Sequence, residues 1–220
     1  MSVVHRRPQE PVGPSAGLSE LVAAYSDVPL GTKLFLAHRY WHSRFSDLER
    51  LVVSSGTVLD LGCGHGLFAS FLGLRGPERR VVALEKDVAK ATVARGRVTN
   101  VSVEHRDVTL ADFPRVDAVT LIDVAHHLES FEAQEVLLAD IARSLPRGGQ
   151  LVFKEVTTSL PFRFRATRAL DWIAYPGEPL FFRHHDEFRR LLEAQGFSTR
   201  FIPFWKGLPY APYVFDCRKR

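Results

Sequence analysis

The chain has 220 residues, 45% of them apolar and 25% charged, which suits a globular domain able to bury a full core without cross-links. Two distant cysteines, Cys63 and Cys217, exclude a disulfide framework or a zinc cluster built from cysteine alone. The net charge of +4 is scattered rather than gathered into a stripe that could track phosphates, so no nucleic-acid partner is expected.

No run approaches the roughly 20 apolar residues that span a bilayer, and the opening stretch lacks a signal-peptide core. A cytoplasmic location is therefore expected. Residues 1–17, rich in Pro, Gly and charge, read as a disordered tail. Residues 18–55 read as a helical cap. LSELVAAY and FLAHRYWHSRFSDLERLV both repeat apolar residues at three- and four-residue spacing, with a break at DVPLG. From residue 56 onward the runs TVLDLG, VVALEKD, VSVEHRD, DAVTLIDV and RGGQLVFKEV alternate with the helical stretches LFASFLGL, VAKATVARGR and FEAQEVLLADIARSL. Continuous apolar strands alternating with helices predict a doubly wound α/β fold with a parallel sheet covered on both faces. Residues 156–183 hold Pro161, Pro176 and Pro179 among aromatics and arginines without a clear period, and read as a lid insertion. HHDEFRRLLEAQGF resumes as a helix stopped by Gly196. FSTRFIPFW and YVFDCRK close the chain as two strands. The pair His184-His185 is expected to support the helix N-terminus, and no metal site is expected anywhere.

The segment Val58-Leu59-Asp60-Leu61-Gly62-Cys63-Gly64-His65-Gly66 carries the most chemistry. A strand feeding a glycine-rich turn and a helix lets a nucleotide-like ligand approach backbone where Cβ atoms would clash. A dinucleotide fingerprint counted from Gly62 needs glycine at position 67, which is Leu67. Asp60 would repel a pyrophosphate, but it favours a ligand carrying a sulfonium and an α-amino group. Both residues argue against a nicotinamide dehydrogenase. Glu85 ends the second strand, placed to accept ribose hydroxyls, with Lys86 beside it. Asp107 follows the third strand, able to accept from an adenine amino group, with the Val108 amide next to it.

In order and spacing, VLDLGCGHG, VVALEKD, VEHRDV, DAVTLIDVAHHL and LPRGGQLVFKEV resemble the class I S-adenosylmethionine-dependent methyltransferases. The resemblance is fullest over residues 56–155. It implies a seven-stranded, mostly parallel sheet with an antiparallel last strand. It also implies S-adenosylmethionine as cofactor, held at its methionine end by Asp60 and the loop of Gly62, Cys63, Gly64 and Gly66. Glu85 falls at the ribose and Asp107 and Val108 at the adenine, with Lys86 also among the cofactor-binding candidates. The segment at Asp123 lines both cofactor and acceptor.

After Asp123 come His126 and His127, either of which can take a proton from an attacking hydroxyl; His127 is preferred and His126 stays open. Acceptor contacts are expected from the cap and lid, with Arg39, Tyr40, Trp41 and Trp172 as candidates among aromatics that include Tyr175. An aromatic-rich cover fits a small hydrophobic, aromatic or acyl acceptor. Methylation of RNA or protein is a rival reading, but the fourth strand lacks the Asn-Pro-Pro-Tyr-type tetrapeptide of base-amine methylases. A non-catalytic subunit that binds the cofactor is another. Monomer and homodimer are both compatible with the sequence.

Overall fold

The computed structural model describes residues 14–110, 112–174 and 177–220. Residues 1–13 of the expected tail, and Tyr175 and Pro176 of the expected lid, lie outside them. Strands that are apolar on both sides must be covered from both sides, and the central ones are. β1 (Gly56–Leu61) is buried from Val58 onward, while β4 (Ala118–Ile122) and β5 (Gln150–Val156) are buried throughout. β2 (Arg79–Glu85) and the exposed β3 (Val101–His105) extend the sheet on one side. On the other side lie β7 (Pro212–Lys219) and then β6 (Phe197–Pro203), giving the order β3-β2-β1-β4-β5-β7-β6. β1 to β5 pair in parallel, and β7 runs antiparallel to both neighbours. This is the expected seven-stranded sheet. Its order reverses between β1 and β4, and ligands of such sheets bind beyond the strand carboxyl ends at that point.

α4 (Leu67–Arg75) leaves the glycine loop and is buried from Leu67 to Gly73. α5 (Val88–Ala94) is capped by Asp87, which accepts from the amides of Ala89 and Lys90. α6 (Phe131–Ser144) is capped by Ser130, which accepts from Ala133. Each such cap satisfies helix donors that lack intrahelical partners. His184 does the same for α8 (His185–Ala194), and Glu187 reaches back to the His184 amide. That is the support expected of the histidine pair. His184, His185 and Asp186 come close enough to share an ion. However, His184 Nδ1 already accepts from the Asp186 amide and His185 Nδ1 pairs with Thr157 Oγ1.

The cap departs from expectation in two places. α1 (Pro14–Ala24) begins before residue 18, inside the expected tail. The long helical stretch that follows is divided into α2 (Leu30–His42) and α3 (Phe45–Glu49). At the break Arg44 takes φ +53°, and its guanidinium bonds Asp47 at 2.7 Å and lies over the Phe204 ring. Leu21, Tyr25, Leu36 and Tyr40 share one buried cluster with Val58, Phe68, Phe71 and Val81, so the cap and the sheet have a common core. The lid contains a helix that the sequence pattern did not reveal, α7 (Pro161–Ala174). Its apolar side chains Phe162, Leu170 and Trp172 are 83%, 47% and 71% exposed. Helical periodicity reports an inside face, and here the large residues lie outside. Among the described residues no helix is long and apolar enough to cross a membrane.

Candidate active site

Gly62, Gly64 and Gly66 all adopt positive φ, at 68°, 57° and 73°, a region where side chains with a Cβ are strained. Their surroundings differ. A Cβ on Gly62 would lie 2.7 Å from Val124 Cγ2, and one on Gly66 would lie 2.6 Å from Ala94 Cβ. One on Gly64 would meet nothing within 4 Å. The loop is thus packed at its two ends and open at its centre. The Gly64 amide donates to Glu85 Oε2 at 2.7 Å, and the Asp87 amide donates to Glu85 Oε1 at 2.9 Å. Asp60 lies buried beneath, accepting from Thr120 Oγ1 at 2.6 Å. Burial pushes the Asp60 carboxyl up to about 7; the Thr120 hydrogen bond opposes this and the charge of Glu85 adds to it. Two carboxyl groups this close favour a cation between or beside them. The open glycine, Glu85 and Asp60 therefore fit the nucleoside and the positively charged end of S-adenosylmethionine.

The remaining cofactor candidates are placed less directly. Burial raises the Cys63 thiol well above its ordinary value, so this residue contributes backbone rather than a nucleophile. The Lys86 side chain is exposed, and its carbonyl pairs with His105 Nε2 at 2.9 Å. Asp107 Oδ1 accepts from the amide and hydroxyl of Thr109, holding the turn that buries Val108. The cap reaches this region as well, through a contact that no sequence motif announces. Tyr25 Oη donates to the His65 carbonyl at 2.8 Å and pairs with Ser70 Oγ at 3.1 Å, while the Phe35 ring stands 5.5 Å from that of His65.

Beyond the ends of β4 and β5 opens a solvent-facing cleft lined by both polar and apolar side chains. Its floor holds Asp123, His126 and His127, the last two on a 3-10 turn, Ala125–His127, together with Lys154 of β5. Asp123 has φ +56°, a backbone state that Asp tolerates better than most residues. Lys154 Nζ grips both its oxygens at 2.5 and 2.6 Å, and Arg39 of α2 adds a contact at 3.0 Å. Burial alone would raise the Asp123 pKa, but the two cations hold it well below the usual carboxylate range. Burial lowers the Lys154 pKa, against the pull of Asp123.

The two histidines differ in environment. His126 Nδ1 lies 2.7 Å from Glu155 Oε2, and its amide donates to Glu155 Oε1 at 3.3 Å. The Phe182 ring stacks on it at 4.9 Å. Burial disfavours its charged form, but the Glu155 carboxylate outweighs burial and raises its pKa. The His127 ring lies 4.2 Å from that of His126, tilted against it, and 3.4 Å from Glu178. Burial and the neighbouring His126 push its pKa down to about 3.

The cleft walls revise the acceptor candidates. Arg39 lines the cleft, whereas Tyr40, Trp41 and Trp172 do not. Helical geometry places Arg39 and His42, three apart, on the cleft side of α2. Tyr40 is turned into the core, 2% exposed, against Phe45 and Phe71, with its hydroxyl on Ser46 Oγ at 2.7 Å. Trp41 and Trp172 are 52% and 71% exposed. On α7 the cleft-facing set is Thr167, Leu170 and Asp171, and Tyr210 enters from the β6–β7 turn. Lys154, Glu155, His42, Asp171 and Tyr210 were not anticipated. One signal was available: Lys154-Glu155 is a charged pair inside an otherwise apolar strand.

The glycine loop and the cleft share a wall, since Val124, packed against Gly62, follows directly on Asp123. With the sheet order and the carboxylates at the ends of β1 and β2, this is the architecture of a class I S-adenosylmethionine-dependent methyltransferase. A family model for a methyltransferase domain matches residues 36–200, and the chain belongs to that family. The chain is 30% identical over 142 residues to the ubiquinone biosynthesis O-methyltransferase of Pseudomonas savastanoi pv. phaseolicola (strain 1448A / Race 6), a match covering 55% of this chain and 59% of the relative. The matched region thus spans 59% of that curated relative's length. An O-methyltransferase family protein from Burkholderia thailandensis superimposes with a TM-score of 0.70 at 14% identity, covering 94% of this chain and 68% of that one. CalO1, a methyltransferase in calicheamicin biosynthesis, in its S-adenosylhomocysteine-bound form, gives 0.64 at 18% identity, covering 86% and 55%. At these identities the structural likeness shows the fold.

Proposed function

We propose that the protein transfers a methyl group from S-adenosylmethionine to a hydroxyl of a small molecule held in the cleft. The observation that carries this reading is the shared wall: the cofactor loop and a cleft containing a carboxylate-paired histidine meet at Asp123 and Val124. Asp60 and Glu85 hold the cofactor by charge and hydrogen bonds. When bound, the cofactor supplies a methyl group already activated on a sulfonium, so the protein's part is alignment, exclusion of water and proton removal.

His126 is the general base of this reading. Glu155 fixes its Nδ1 and stabilises the imidazolium that forms, leaving Nε2 as the nitrogen that takes the hydroxyl proton. His127, held at a low pKa, is a weaker base and serves the cleft wall. Lys154 and Arg39 fix Asp123 at the rim shared with the cofactor loop. The names of the relatives support oxygen as the methylated atom.

Calorimetric titration with S-adenosylhomocysteine tests the cofactor half. Wild type is expected to bind, and Asp60→Ala and Glu85→Ala each to weaken binding by about 10- to 100-fold, the loss of a charge-assisted hydrogen bond. No binding by well-folded protein overturns the reading.

A further inference from the structure

Among the described residues, four buried side-chain polar atoms have no hydrogen-bond partner: His42 Nδ1, Ser43 Oγ, Asp171 Oδ2 and Tyr213 Oη. Unpaired buried polar atoms are rare in folded proteins, and each calls for a reason. Two of the four, on His42 and Asp171, belong to residues lining the cleft from opposite helices, α2 and α7. The other charges of the cleft are already matched. Lys154 and Arg39 are held by Asp123, and His126 by Glu155. Asp171 is left with a buried carboxyl oxygen and no ion pair to any described residue, although the charges of His126 and Arg39 act on it from farther off. Next to it stand two rings in contact, Tyr210 and His42, with centroids 3.9 Å apart and planes tilted by 43°, and Leu170 and Val156 add apolar surface.

Resting on the methyl-transfer reading, we propose that Asp171 and His42 recognise the methyl acceptor. They select a ring-bearing molecule that carries, besides its nucleophilic hydroxyl, a hydrogen-bond donor for Asp171. A carboxyl oxygen lacking a partner welcomes a second hydroxyl or an amine. It repels a carboxylate and gains nothing from an ether, which has no proton to give. His42 offers its unpaired ring nitrogen to the same polar edge, and the Tyr210–His42 wall holds the ring. Burial keeps His42 neutral, with a pKa near 4, so it adds no charge to the wall. A site built around an unmet donor rejects analogues lacking it far more strongly than an apolar pocket rejects a missing methylene.

The test measures S-adenosylhomocysteine release with a panel of phenols. Resorcinol, catechol and 3-aminophenol carry the second donor, whereas 3-methoxyphenol and 3-hydroxybenzoate do not. Wild type is expected to prefer the donor-bearing set by at least about tenfold in kcat/KM. Asp171→Ala should erase that preference through a rise in KM of about 10- to 100-fold, with S-adenosylhomocysteine affinity unchanged. Asp171→Ala and Asp171→Asn should also raise Tm without acceptor, since each removes an unpaired buried carboxylate; a structural carboxylate predicts a fall. His42→Phe, which keeps the wall, should lose part of the preference. Preference retained in Asp171→Ala, or a lowered Tm in both Asp171 variants, overturns the proposal. So does wild type that binds S-adenosylhomocysteine but methylates none of the donor-bearing phenols, an outcome that leaves the cofactor reading standing. Failure to bind S-adenosylhomocysteine overturns the cofactor reading itself.

Discussion

Asp60 and His126 are both buried ionisable groups, and their opposite uses follow from what faces them. Asp60 titrates near 7 because burial and Glu85 disfavour its charge, whereas in the unfolded chain an Asp titrates near 3.9. Between those values the folded protein holds a proton that the unfolded chain has released. Folding stability from this group is therefore present below about pH 4 and lost as pH rises towards 7. Asp60→Asn keeps an acceptor for Thr120 but cannot titrate. Its stability relative to wild type should improve from pH 5 to about pH 7 and then level off, in denaturant melts without cofactor. A constant difference across that range would sink the argument. His126 has the reverse logic, because Glu155 favours its charged form. A base must be neutral to act, so kcat/KM should climb with pH through a value above the ordinary histidine range of about 6.5. Glu155→Gln should shift that limb to lower pH and reduce the rate on the order of 100-fold. His127, with its pKa near 3, would produce no limb in that region. The profile thus decides between the two histidines.

At the scale of elements, the cap acts on the cofactor loop through one side chain. Tyr25, buried in the turn that follows α1, hydrogen-bonds the His65 carbonyl, fixing the loop between Gly64 and Gly66. Tyr25→Phe retains the packing and removes both hydrogen bonds. It should cost about 1 kcal/mol of stability and weaken S-adenosylhomocysteine several-fold in calorimetry; unchanged affinity would confine the cap to a packing role. Nothing in LSELVAAY announces this contact, because it spans forty residues and depends on where α1 packs. The strands were legible for the opposite reason. Apolar runs such as TVLDLG and QLVFKEV bury both faces and need no distant information to be read. The Gly62–Gly66 loop was legible too, since positive φ confines its composition. α7 was not, because Phe162 and Trp172 face outward and Leu170 faces the cleft, so periodicity has no core face to report. Similarly, Tyr40 and Trp41 differ from Arg39 only in helical phase, which the α2–α3 break at Arg44 obscured.

On the scale of the whole molecule, cap and sheet share one core, with Leu21, Leu36 and Tyr40 packed among Val58, Phe68 and Phe71. A cap sharing a core with the sheet cannot open without exposing the apolar face of α4. It should unfold with the sheet rather than before it. The three tryptophans make this measurable, since Trp41 lies in the cap, Trp172 in α7 and Trp205 in the β6–β7 turn. With Trp172 and Trp205 replaced by Phe, Trp41 fluorescence follows the cap while far-ultraviolet circular dichroism follows the fold. The two melts are expected to coincide. Saturating S-adenosylhomocysteine should move both together, by about 2.7 kcal/mol at a hundred times Kd, or roughly 5–10 °C for a chain of this size. A cap signal that melts early and ignores the ligand would mean that Tyr25 covers the loop only transiently, and that the cap is a mobile gate.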